Sequence, residues 1–163
     1  MAQSVANREV EILNQLLTLT RDSLIGYREA AAATESRAMQ RCFLRRATDR
    51  QVIADRLCEV IEALGGEAAD EGTRLGVAHR VFLNLCELMP SGDAIAMHEV
   101  ARGESFLRGR YERALHSDVL SPPARDVVQE AYGSVWSGVR AVPGMRPHRP
   151  VMHPGLRIRP QAM

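Results

Sequence analysis

The chain contains no lysine; all 21 of its basic residues are arginines. An all-arginine set reflects a GC-rich coding sequence and assigns no role by itself, although arginine is always charged and can pair a carboxylate bidentately. Aromatic residues make up only 4% of the sequence, so aliphatic and alanine side chains must form most of any core. No stretch approaches the roughly 18 uncharged apolar residues of a membrane span, and residues 1–13 show no apolar run of the kind that opens a secretory signal. A membrane or exported protein is therefore not expected, and a cytoplasmic one is. Chemistry-bearing motifs are also scarce. The three cysteines, Cys42, Cys58 and Cys86, match neither a CxxC nor a zinc spacing. Cys42 and Cys58 lie roughly four and a half turns apart on one predicted helix, too far to pair within a subunit. There is no glycine-rich phosphate loop and no serine or cysteine nucleophile beside a histidine at a strand-to-helix turn.

What the sequence does contain is helical periodicity. Its 163 residues suit one domain, with 45% apolar and 25% charged residues as in ordinary globular proteins. A first helix is predicted from about Asn7 to about Thr34, capped by Ser4 or Asn7 with acids in its first turn. Its seam, Leu13, Leu17, Thr20, Leu24, Tyr27 and Ala31, advances by alternating steps of four and three. A second helix, Ser36 to Leu64, repeats the pattern with Phe43, Ala47, Arg50, Ala54, Leu57, Ile61 and Leu64, and Gly65-Gly66 ends it. The link between the two is short, so they should pack antiparallel. A shorter amphipathic helix is predicted over Thr73–Met89. A third long helix, about Asp93 to Ser117 with Asp93 as cap, uses Met97, Val100, Glu104, Leu107, Tyr111 and Ala114. Ser121-Pro122-Pro123 opens a last helix whose inner face is Val128, Ala131, Val135, Gly138 and Val142.

The connections thus run short, long, short. The expected fold is all-α: a ferritin-like four-helix bundle over residues 1–142 whose long crossover carries a short extra helix. A five-helix array is the competing topology. From Pro143 onward there are five prolines, four arginines and no acid, which predicts a disordered basic tail over residues 143–163. Net charge is +1 overall, and without the tail the chain carries 17 bases against 20 acids. That balance speaks against nucleic acid as the partner of the folded part. Arg41, Arg45, Arg46 and Arg50, interleaved with Asp49 and Asp55, read as a solvated face with intrahelical pairs.

Leu24–Ala31, Phe43–Arg50 continuing through Ile61–Gly66, and Arg102–Ala114 together resemble an uncharacterised bacterial family of ferritin-like four-helix-bundle proteins. The resemblance covers about Val10 to Val142, and it rests on the order and spacing of these segments. It implies the ferritin-like fold and brings no established activity. Metal-binding members of the wider superfamily supply one Glu from each of two helices and a Glu-x-x-His from each of the other two. Set on this chain, that frame falls on Thr20, on Arg50 and Ile53, on Glu104, and on Gln129 and Tyr132. Only Glu104 keeps a ligand. His79, His98 and His116 have no Glu three positions before them, and His148 and His153 lie in the tail. No metal, cofactor or catalytic residue is therefore assigned.

An arginine on an inward seam needs a partner, because an unpaired buried charge is costly. The candidate polar cluster is Thr20, Arg50 and Glu104: an Arg50–Glu104 ion pair with Thr20 as an additional hydrogen-bonding group. The alternative places Arg50 at the edge of the seam, paired with a surface acid. The functional expectation is a metal-free, non-catalytic bundle with a structural or protein-interaction role and a stress response as its setting, with an unidentified protein partner and homodimer formation compatible with a leftover apolar stripe. Two other readings are a di-iron oxidase or iron-storage protein with a degenerate or intersubunit site, and weak nucleic-acid binding through the arginine tail.

Overall fold

The computed structural model describes residues 2–69 and 92–141. Over these residues the protein is all-helical: α1 (Ala2–Ala33), α2 (Arg37–Ala63), α3 (Gly92–Leu115) and α4 (Pro122–Ala141). The extra helix expected over Thr73–Met89 and the tail expected over residues 143–163 lie outside the described residues, as do Cys86 and Val142, the last residue of the predicted inner face. No described helix is long and apolar enough to cross a membrane.

Local chemistry sets most of the helix ends. Ser36 adopts an extended conformation and its side chain accepts a hydrogen bond from the Met39 amide, which caps α2. The Gln40 side chain reaches back to donate to the Ala31 carbonyl, so α2 also closes the end of α1. At the other end of α2, Gly65 takes φ +76°, its N–H donating to Glu62 O and that of Gly66 to Ile61 O. This is the Schellman arrangement that satisfies the last carbonyls of a helix. Gly66 has a further constraint: a Cβ there would lie 2.6 Å from a methyl of Val10 on α1.

α1 departs from expectation. It begins at Ala2, ahead of both predicted caps, with no acid in its first turn. The nearest acid, Glu9, is buried and serves another helix. Its carboxylate accepts from both the amide and the hydroxyl of Ser121 at 2.6 Å, just before α4 starts at Pro122. A carboxylate at this position complements the positive end of the α4 dipole. Arg125 closes the same turn by donating to the carbonyls of Leu115 and Ser117. Asp93, expected as a cap, lies inside α3, which starts at Gly92.

Each helix packs on two others: α1 on α2 and α3, and α4 on α2 and α3. The contacts fix the directions. Glu9 of α1 meets the start of α4, and Val10 meets the end of α2. Thr20 and Ser23 of α1 meet Tyr111 and Glu104 of α3 in reverse order. Arg46 and Arg56 of α2 meet Ser137 and Glu130 of α4, also in reverse. All neighbours are therefore antiparallel, while α2 and α3 run the same way across one diagonal. Ala69 and Gly92 consequently stand at opposite ends of the bundle.

The interior is apolar at both ends and polar between. One cluster, centred on Leu13, Leu17, Leu57, Ile61, Leu107, Tyr111, Val128 and Val135, fills the end nearest the start of α1. A smaller one, with Leu24, Tyr27, Ala30, Ala31, Phe43 and Ala47, fills the other. The two predicted seams of α1 and α2 are buried throughout, except for the half-buried Leu64.

Candidate functional site: a buried ion pair across the bundle

Between the two apolar clusters, α2 and α3 each send one charged side chain to the bundle axis. Nη2 of Arg50 donates to both Glu104 oxygens, at 2.9 Å to Oε1 and 2.8 Å to Oε2. The side chains are 0% and 1% exposed. Periodicity explains the meeting. Each residue replaces an apolar step midway along its seam, and the parallel run of α2 and α3 brings the two midpoints to one level.

The other two nitrogens of the guanidinium are also engaged. Nε donates to the Ser23 hydroxyl on α1 and Nη1 to the Ser134 hydroxyl on α4, both at 3.3 Å. Ser23 in turn donates to Glu104 Oε1 at 3.3 Å. All four helices thus contribute one polar residue to the layer. The guanidinium carbon lies 5.8 Å from the centre of the Tyr27 ring, within cation–π range. Burial pulls the Arg50 pKa down, but the Glu104 carboxylate and the nearby Tyr27 and Tyr111 hydroxyls outweigh it, leaving the group above its ordinary value. It is permanently charged. Burial, reinforced by Glu104, also holds the Tyr27 phenol far above its usual range.

Thr20 is fully buried but does not join the ion pair. Its hydroxyl donates back to the Leu16 carbonyl at 2.7 Å and pairs with the Tyr111 hydroxyl at 2.7 Å. Bonding to the carbonyl four residues earlier turns the oxygen toward the start of α1, one layer away from Arg50. The place expected for Thr20 belongs to Ser23. Burial raises the Tyr111 pKa to about 12, despite the favourable hydrogen bond with Thr20 and the nearby Arg50.

The surface reading of Arg50 as part of a solvated basic face is overturned by its burial. Arg46 does make the expected local pair, 3.3 Å from Asp49, and also reaches Ser137. On α4, Tyr132 is buried and donates to Glu112 at 2.7 Å, while Gln129 is half-buried. Neither reaches the central layer, whose α4 member is Ser134. Ser23 and Ser134 went unmarked in the sequence because a serine inside a helix carries no periodic signal. The one available cue was that Ser23 follows Thr20 by three and so shares its face.

A groove of about 210 Å³ runs between α1 and α3 beside this layer, with mostly apolar walls. Gly26 and Gly103 keep it open: a Cβ at either would meet no atom within 4 Å. Glu104 lines its floor, and the half-exposed Phe106 its rim.

A di-iron or di-manganese centre of the ferritin-like kind does not fit these residues. Such a site needs several carboxylates and imidazoles converging on one volume. Here both oxygens of the single carboxylate are taken by a cation, and the other members are two serines. Among the described residues no three of His, Cys, Asp and Glu converge.

One comparison with known proteins identifies a relationship. A family model described as "Domain of unknown function (DUF2383)" matches residues 8–117, two thirds of the chain. The match takes in nearly all of α1, all of α2 and α3, and both Arg50 and Glu104; α4 with Ser134 lies beyond it. No curated protein matches the chain. The chain belongs to the DUF2383 family, a family of unknown function.

Proposed function

We propose that the protein is a ferritin-like bundle whose metal centre has been replaced by a fixed ion pair, and that it works as a non-catalytic structural or protein-interaction module. The observation that carries this reading is the Arg50–Glu104 pair, with both carboxylate oxygens engaged by the guanidinium at the middle of the bundle. Two further features support it. The helix directions, with α2 and α3 parallel and their ends at opposite poles, are those of a bundle with one long crossover. The free and half-buried Cys42 and Cys58 suit a reducing, cytoplasmic setting.

A cation at the axis opposes iron chemistry on two counts. It repels a divalent ion, and among the described residues it occupies the one carboxylate that reaches the axis. Metal analysis of protein purified from iron-replete cells tests the proposal. The expected content is far below one iron per chain, with ferrous oxidation no faster in the presence of protein than in buffer. Stoichiometric iron, or accelerated oxidation, would contradict it.

A further inference from the structure

The outer face of α2 has a charge order with a two-fold character. Its exposed stripe advances by threes and fours through positions 37, 41, 44, 48, 52, 55, 59 and 62, so it lies along one side of the helix. The first half carries Arg37 and Arg41, with Arg45 on its flank, all exposed. The second half carries Asp55, Glu59 and Glu62, also exposed. Leu44, 48% exposed, lies within the basic half and Val52, 54% exposed, between the two halves; they are two of the three large apolar side chains that the described residues leave most open.

The positions are balanced about the level of Arg50. Arg45 and Asp55 lie five residues to either side of it, and Arg41 and Glu59 nine. Arg37 and Glu62 lie thirteen and twelve away, and Thr48 and Val52 two. None of the six charged residues forms an ion pair within the chain among the described residues. Asp55 accepts one hydrogen bond, from Gln51 on its own helix.

We propose that this face binds a second copy of the chain, α2 against α2 in antiparallel orientation about a two-fold axis at the level of Arg50. Rotation about that axis sets Arg37, Arg41 and the flanking Arg45 near Glu62, Glu59 and Asp55 of the other protomer and brings Thr48 and Val52 together at the centre. A C2 interface needs a patch that complements itself, and this order of charges does. A parallel arrangement would oppose arginine to arginine and acid to acid, which is repulsive. The face is 27 residues long, roughly 40 Å at 1.5 Å per residue. One helix face buries less than the roughly 800 Å² per partner of a standard interface. The dimer is therefore weak and salt-sensitive. The inference is independent of what fills the bundle axis.

Sedimentation equilibrium of the full chain at low and high salt tests the proposal. The expected result is a reversible dimer that weakens as salt rises. Arg41→Glu with Arg45→Glu should weaken it by at least about tenfold, and so should Asp55→Arg with Glu59→Arg. Mixing the two variants, or combining all four changes in one chain, should restore association, since the charge order is then complementary again. Circular dichroism would confirm that each variant is folded; all four sites are exposed. A wild-type monomer over the accessible concentration range overturns the proposal. So does a dimer that survives both reversals, which would place the contact elsewhere, such as the α1–α3 groove beside Phe106.

Discussion

Among the described residues, two arginine–glutamate pairs join helices, and their settings are opposite. Arg50–Glu104 links α2 to α3 at the axis with side chains 0% and 1% exposed, whereas Arg56–Glu130 links α2 to α4 at the surface with 43% and 50% exposed. The chemistry is the same, so solvent alone separates their energetic roles. At the surface, water competes for both charges and salt screens them, so the pair contributes little. At the axis both ions have lost their hydration, and the contact does not by itself guarantee net stability. What it does guarantee is a large penalty for removing one member. The buried pair therefore fixes which side chains may occupy the centre more than it strengthens the fold.

The comparison can be broken most forcefully by Glu104→Ala. This leaves a guanidinium buried without its counter-ion and should cost about 3–5 kcal/mol, read as a lower urea midpoint. Replacing both residues, Arg50→Met with Glu104→Met, should recover that loss and return stability to the wild-type value or up to about 1–4 kcal/mol above it. If the double variant were as unstable as the single one, the charges themselves would be stabilising and burial would not have cancelled the attraction between them.

The next effect concerns pH. Tyr111 ionises at about 12 in the folded state against 10.0 for the free phenol. The folded protein thus holds this proton more tightly than the unfolded chain. Its contribution is fully present below pH 10 and is lost as pH rises toward 12, because the unfolded state ionises first. Urea midpoints measured across that window should fall, and Tyr111→Phe should lessen the fall without abolishing it, because the Tyr27 and Tyr132 phenols are also held above their ordinary range. At neutral pH the same variant should lose only the Thr20 hydrogen bond, about 1 kcal/mol. The smallest effect belongs to the surface pair: Glu130→Ala should change stability by less than about 1 kcal/mol, and by less still at high salt. A Glu130→Ala loss matching that of Glu104→Ala would refute the role given to burial.

The ion pair was legible in the sequence because polar residues interrupt otherwise regular seams, and a seam position dictates direction. Arg50 and Glu104 each sit midway along a long helix, so their meeting needed only the relative direction of α2 and α3. The side chains around them were not legible. Ser23 and Ser134 are small and fit either face of a helix, and nothing in a linear reading ranks Ser23 above Thr20. That choice is made by a local hydrogen bond, Thr20 to the Leu16 carbonyl, which turns its oxygen toward Tyr111. The start of α1 was misplaced for a related reason. Glu9 resembles an acid stabilising its own helix, but it caps α4, a partner 112 residues away in the chain. Periodicity reports which way a side chain faces; it does not report which of several neighbours it will choose.

A guanidinium and a carboxylate fill the bundle's middle, and under the proposed function they stand where metal ions would otherwise sit. The most direct measurement is anomalous diffraction from crystals grown from iron-replete protein and soaked in manganous salt. The expected map has no anomalous peak inside the four helices and shows Arg50 on both oxygens of Glu104. Two peaks bridged by Glu104, with the arginine displaced, would contradict it.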